Sequence, residues 1–300
     1  MALIFATEPV SVRTPATSAN LGPGFDALGL ALTLHDDLTA RVTPGRFTVT
    51  VTGEGAGELP GDESHLVLRA MLATFDELGE RPPGLAVECV NRIPQARGLG
   101  SSSAAIVGGV QLARGLVRND LDDNDALRIA ARLEGHPDNV APCLLGGFTI
   151  AWTEGSGARA VKLPVAGGVH PTVFIPSERG YTSSARAALP ADVPHADASF
   201  NAGRAALLTH ALTGDPALLF PATEDRLHQG YRAEAMPGTA SLVASLRSVG
   251  VAAVVSGAGP SVLALTEVPG DFHPGTSWRA ESLGVDGAGA LVKGSMVELA

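Results

Sequence analysis

The run Pro94-Gln95-Ala96-Arg97-Gly98-Leu99-Gly100-Ser101-Ser102-Ser103-Ala104 sets two glycines and three serines where an apolar strand gives way to a helix. The first turn of a helix leaves backbone N–H groups without partners and carries the positive end of the peptide dipole. Such a junction suits a phosphate group. Small residues at 98, 100, 101 and 103 let the backbone approach a polyphosphate without a Cβ clash, and the Ser102 hydroxyl is a ready ligand for a divalent cation. A turn with an ordinary serine cap has the same local pattern. The run is not a Walker loop, because the only lysines, Lys162 and Lys293, do not follow a glycine. It is not a hydrolase nucleophile elbow either, since Pro94–Ser101 separate the strand end from Ser102.

Other stretches carry groups of this kind. Pro15–Gly29 sets Thr17, Ser18, Asn20 and Asp26 among glycines and prolines. On composition it is a loop between strands, with Asn and Asp in turn roles. Glu134-Gly135-His136-Pro137-Asp138-Asn139 reads as one helix ending at Gly135 and another starting at Pro137. No zinc-binding spacing surrounds His136. Ser256-Gly257-Ala258-Gly259-Pro260-Ser261 is a glycine-rich turn between two apolar strands. Arg186 and Arg232 close the stretches Thr182–Arg186 and Asp225–Arg232. A guanidinium fork suits a carboxylate, and a solvated surface arginine is the ordinary alternative.

Together these stretches resemble the GHMP small-molecule kinases and, within them, the homoserine kinases. Residues 94–104 resemble the family's phosphate loop. Pro15–Gly29, Glu134–Pro142 and Ser256–Ser261 resemble three family signatures in the right order. The resemblance implies an α+β, two-domain GHMP kinase fold. Its N-terminal domain, residues 1–158, would be like ribosomal protein S5, and residues 159–300 would form a ferredoxin-like βαββαβ domain. It implies ATP around Pro94, Gln95, Ala96, Arg97, Gly98, Leu99, Gly100, Ser101, Ser102, Ser103 and Ala104, and Mg2+ on Ser102 and Glu134. It implies phosphorylation of the L-homoserine hydroxyl, giving O-phospho-L-homoserine and ADP on the way to threonine. Asn20, Asp26, Thr182, Arg186 and Arg232 would hold the acceptor, Asp26 at its ammonium and the arginines at its carboxylate. His136, Asp138 and Asn139 would lie beside its hydroxyl. The resemblance implies that the γ-phosphate itself would take the proton, with Asp138 or His136 as the alternative base.

This sequence departs from the pattern twice. Some members carry an insertion between the Glu-Gly and the His, which are adjacent here. Many have Asn where His65 stands, near the nucleotide base. Two other readings remain: a GHMP kinase for a mevalonate-like or sugar alcohol, and an inactive GHMP-fold ligand sensor. The first typically uses a lysine, and residues 1–158 contain none.

With 45% apolar and 17% charged residues, the 300-residue chain is globular, and its 36 glycines and 21 prolines foretell many turns. A net charge of −10 argues against nucleic acid or an anionic membrane as partner. Cys89 and Cys143 are too few for a disulfide framework and read as reduced core thiols of a cytoplasmic protein. No basic-then-apolar leader opens the sequence, and no apolar run of about 20 residues would span a bilayer. A homodimer is left open.

The elements that must position these groups follow from periodicity. Strands are expected at Val10–Arg13, Leu28–Leu34, Leu38–Val42, Phe47–Thr52, Leu85–Cys89 and Phe148–Trp152. Helices are expected at His65–Leu78, Ser101–Val117, Asp125–Leu133 and Asn139–Leu145. Beyond a boundary near 155–165 come strands at Thr172–Ile175, Val251–Val255, Val262–Thr266 and Gly289–Lys293. Helices are expected there at Ser183–Ala188, Ala198–Thr213, Thr239–Val249 and Thr276–Leu283.

Overall fold

The computed structural model describes residues 3–180 and 182–294, the side chains of 182–184 excepted. The first half runs β1 (Val10–Ala19), β2 (Leu28–Val42), β3 (Phe47–Gly53), α1 (Leu66–Leu78), β4 (Leu85–Asn91), α2 (Ser101–Leu116), α3 (Asp123–Glu134), α4 (Val140–Leu145), β5 (Phe148–Glu154) and β6 (Gly157–Leu163). The second half runs β7 (Thr172–Pro176), α5 (Thr182–Ala187), α6 (His195–Thr213), α7 (Leu219–Ala222), α8 (Gln229–Arg232), α9 (Pro237–Ser248), β8 (Ala253–Val255), β9 (Val262–Ala264), β10 (Trp278–Ser282) and β11 (Leu291–Lys293).

The larger sheet has the order β11-β1-β2-β4-β3, and the hairpin β5–β6 branches from β2. Val67, Leu68, Met71 and Phe75 of α1 and Leu112, Ala113 and Leu116 of α2 bury against Val87 and Cys89 of β4. A Cβ on Gly109 would overlap the Val67 carbonyl, so this glycine is what brings α2 down onto α1. The helix that must present residues 101–103 is thereby clamped to a rigid layer. An Asp122–Asp125 capping box starts α3, and Gly135, at φ 94°, ends it. Glu134 is thus held at a fixed helix end.

The smaller sheet has the order β10-β7-β9-β8, antiparallel throughout. That is the ferredoxin-like strand order, with one expected element missing. Thr276–Leu283 is not a helix. Trp278–Ser282 pairs as β10 along the open edge of β7, so an unpaired strand edge outweighs a weak helical preference. The final strand is also placed differently: β11 pairs with β1 in the larger sheet. The expected boundary at 158/159 falls inside β6, which pairs with β5 along its whole length. The crossover to the second sheet lies between Leu163 and Thr172.

Two expected strands, Leu28–Leu34 and Leu38–Val42, are one. His35-Asp36-Asp37, the gap between them, pairs with Pro15, Thr14 and Arg13, and Thr33 and Leu34 bulge from β2 where the register shifts between Pro15 and Ala16. Likewise β1 runs on to Ala19, through the first half of the stretch expected to be loop. Cys89 and Cys143 are buried free thiols, as expected. Among the described residues, no helix is long and apolar enough to cross a membrane.

Candidate active site

A cavity of about 460 Å³ runs along the seam between the two halves. Its middle is the glycine-rich loop. Ala96, Gly98 and Gly100 all have positive φ, at 53°, 71° and 70°, and this coil turns the chain directly into α2. Gly100 caps α2 with no side-chain hydrogen bond, and the first turn holds no acidic residue. The N–H groups of Ser101–Ser103 are therefore free of a cap at the positive end of a 16-residue helix. Gln95 through Ser102 line the cavity. Pro94, Ser103 and Ala104 do not, Ser103 and Ala104 being buried in α2. The Arg97 guanidinium turns away from the loop and donates to the carbonyls of Pro176, Ser177 and Gln95.

Beside the loop, the Ser102 and Ser103 hydroxyls both donate to Glu134 Oε1, at 2.6 and 3.0 Å. The adjacency of Glu134-Gly135 and His136 therefore does not carry the glutamate away from the loop. Among the described residues no group of three or more His, Cys, Asp and Glu side chains could hold a metal. Ser102 and Glu134 offer two hard oxygens. That suits an ion held chiefly by phosphate oxygens and water.

One end of the cavity is charged. Asp26, at φ 56°, grips Arg186 in a bidentate pair at 2.8 and 2.9 Å. Both side chains remain about 40% exposed. Arg232 is 2% exposed. It donates to the Ala185 carbonyl at 3.1 Å and to His228 Nδ1 at 3.1 Å. No carboxylate of the described residues lies within 4.0 Å of it. Burial, and then Arg186 nearby, push its pKa down. Phe25 lies beneath both guanidiniums and stacks on His228. The motif around Arg232 was legible as a sequence, but the part played by His228 was not. Its Nε2 donates to the Gly22 carbonyl at 2.8 Å, which leaves Nδ1 as acceptor for Arg232. Burial keeps the ring neutral, as that arrangement requires.

Asn20 is placed at the cavity wall with its carboxamide already engaged. Its Nδ2 donates to the Gly257 carbonyl, and its Oδ1 accepts the Asp26 N–H. It braces the first loop against the turn 256–260. Ser256 reinforces this joint, bonding the Gly98 carbonyl and Ser18 at 2.7 and 2.9 Å. His136, Asp138 and Asn139 converge on the same end of the cavity. Thr17 donates to Asn139 at 2.9 Å, and His136 Nδ1 meets Asp138 Oδ1 at 2.5 Å. The side chain of Thr182 lies outside the described residues.

The Asp138 hydrogen bond raises the His136 pKa, against desolvation. A histidine raised in the fold contributes stability fully below about pH 6.5, its unfolded value, and loses it as pH rises through the folded value. The thermal midpoint of the wild type should therefore fall more steeply above pH 7 than that of His136→Asn. Parallel curves between pH 6 and 9 would remove the pair from the stability balance. The shift favours the charged form of the ring.

The other end of the cavity is apolar, walled by Leu38, Leu59, Pro60, Leu66 and Val67. His65 caps α1 there, with Nδ1 accepting the Val67 N–H at 3.2 Å, while its Nε2 is buried without a partner. Asp36 also lines this cavity, and nothing in the sequence marked it.

Comparison with known proteins agrees with this architecture. The model of the GHMP kinases N-terminal domain matches residues 65–147, and that of the GHMP kinases C-terminal domain matches 204–271. A homoserine kinase of Streptomyces coelicolor is 52% identical over 295 residues, covering 96% of each chain. One of Streptomyces avermitilis is 53% identical, covering 96% of this chain and 97% of its own. The crystal structure of a homoserine kinase from Cytophaga hutchinsonii superposes with a TM-score of 0.83 at 28% identity, over 98% of this chain and 100% of that one. This chain therefore belongs to the GHMP kinases, among the homoserine kinases.

Proposed function

We propose that this chain transfers the γ-phosphoryl group of ATP to the side-chain hydroxyl of L-homoserine, releasing ADP and O-phospho-L-homoserine for threonine synthesis. The carrying observation is the charge pattern at one end of the cavity: Asp26 and Arg186 paired at 2.8 Å beside a buried Arg232 with no carboxylate of its own. A zwitterion offers each of these groups its opposite charge. The Asp26–Arg186 pair can open around such a ligand without leaving either charge bare, and the ligand's carboxylate gives Arg232 an anion. An uncharged alcohol does neither.

In this reading the nucleotide lies along the cavity, with its base at the apolar end and its phosphates at the N-terminus of α2. Phosphoryl transfer asks chiefly for alignment and for neutralisation of charge on the phosphoryl oxygens. Ser101–Ser103 supply backbone donors. Ser102 and Glu134 would hold Mg2+, which when bound neutralises phosphate charge. Asn139, fixed by Thr17, and His136, whose charged form Asp138 favours, flank the acceptor hydroxyl. With Asp138 committed to His136, the hydroxyl proton passes to the phosphoryl group itself. Two buried unpaired thiols suit a reducing cytoplasm.

A coupled ADP-release assay across homoserine, mevalonate, shikimate and galactose tests the substrate. Homoserine should lead by at least about tenfold in kcat/KM, since a missing hydrogen bond to a charged group costs about 1.5–3 kcal/mol. Equal turnover of mevalonate would sink the assignment.

A further inference from the structure

We propose that Asp36 is a positioning residue for this reaction: from β2 it pins the entry of the phosphate loop, and removing its charge weakens ATP binding. The proposal rests on the reading of residues 94–104 as the phosphate loop. Asp36 is 4% exposed. One oxygen, Oδ1, accepts the N–H of Arg92 at 2.6 Å and that of Ile93 at 2.9 Å. Pro94 follows and has no N–H. Asp36 therefore takes the two backbone donors that lie between the end of β4 at Asn91 and the loop. Ile93 is fully buried, so these two bonds join the loop to the core at one point. The side chain also lines the cavity.

Such a placement is costly, which argues that it has a use. Burial raises the Asp36 pKa to about 6. A carboxylate held above its unfolded value weakens the fold when ionised, and stability from this group increases as pH falls through 6. Strongly perturbed groups inside clefts are candidates for functional roles. The groups that face it are few. Arg92 favours the charged form and is itself held by Asp37 and the His35 carbonyl, while Asp37 disfavours it. Cys89 and Cys143 carry raised pKa values, so their thiols stay neutral. His35 is tied to Asp286 at 2.6 Å. Acid should therefore affect fold and function in opposite directions here. Protonating Asp36 relieves a buried charge, yet turns two charge-assisted bonds to the loop into ordinary ones.

Asp36→Asn reproduces the protonated state, keeping shape and one acceptor oxygen. At pH 7.5 its KM for ATP should rise about tenfold, each charge-assisted bond being roughly twice as strong as a neutral one. Its KM for homoserine should change less than about twofold, and its thermal midpoint should hold or rise. The KM for ATP of the wild type should climb toward the variant's value between pH 7.5 and 5.5. Titration of the nucleotide is common to both proteins and cancels in the comparison. A variant matching wild type in KM for ATP at every pH overturns the proposal. So does one whose ATP KM and thermal midpoint deteriorate together, which a purely structural role predicts. Should the variant not fold, the wild-type KM for ATP from pH 7.5 to 5.5, corrected for the separately measured titration of the nucleotide, decides instead: a flat profile overturns the proposal and a rise supports it. Gly100→Val separates the loop from its anchor. If it still binds ATP, the loop reading itself fails. If it loses ATP while Asp36→Asn matches wild type, Asp36 alone has been misassigned.

Discussion

Gly100→Val should fold and lose ATP affinity by about a hundredfold or more. Gly100 sits at φ 70°, where a β-branched residue is strained. A Cβ there would overlap the Thr17 hydroxyl and lie 3.2 Å from Thr17 Cβ. That hydroxyl donates to Asn139 at 2.9 Å, so one added side chain displaces both the mouth of α2 and a residue on the acceptor side. Strain of about 1–3 kcal/mol falls on the loop. Every hydrogen bond broken between a backbone donor and a charged phosphate removes about 1.5–3 kcal/mol more. The rest of α2 is held by Ile106, Val110 and Leu112, each at most 1% exposed, and that core does not depend on residue 100. Calorimetric titration with ATP, alongside circular dichroism, decides the matter. A folded variant that binds ATP as the wild type does would show that residues 94–104 are only a turn.

The residues that meet in the cavity were legible in the sequence because the chemistry proposed for them needs special residue types at short range. Glycines at positive φ, serines opening a helix and Asp and Asn in tight turns mark themselves locally. The reason for a residue was less legible than its presence. Gly98 reads from its spacing as serving phosphate approach, yet a Cβ there would overlap the Ser256 carbonyl, so it also serves the joint between the halves. Arg97 lies within the loop but secures the second domain. What the sequence hid are properties of pairing across long distances. Trp278–Ser282 is a strand only because β7 offers an edge, and Leu291–Lys293 joins β1 nearly three hundred residues away. Asp36 fell between two expected strands because its place in β2 depends on pairing with Thr14 of β1, beyond a bulge at Thr33 and Leu34. His228 was visible as a letter in a motif, but its neutral tautomer follows from burial against Gly22 and Arg232.

Arg232→Ala should raise the KM for homoserine by about a hundredfold or more and change the KM for ATP by less than about twofold. The asymmetry follows from the proposed reading, in which the buried Arg232 meets only the acceptor's carboxylate, whereas Arg186 shares a small cavity with Ser102 and Glu134. Arg186→Ala should have a smaller effect, about ten- to thirtyfold. Arg186 is about 40% exposed, so solvent screens what it contributes, whereas Arg232 acts from a buried position. Arg232 also bonds the Ala185 carbonyl, immediately before Arg186, so its loss loosens α5 as well as the carboxylate site. Arg232→Lys distinguishes the two contributions. An ammonium restores charge but not the fork that reaches both Ala185 and His228, so rescue should be partial. A lysine variant with wild-type homoserine KM would reduce the guanidinium to a point charge. If neither alanine variant altered the homoserine KM, or if both lost ATP instead, the acceptor pocket would have to be sought elsewhere. Asp26 would then lose its role too. Its bidentate bond to Arg186 would be a structural tie between β1–β2 and α5, rather than a pair that opens around a zwitterion.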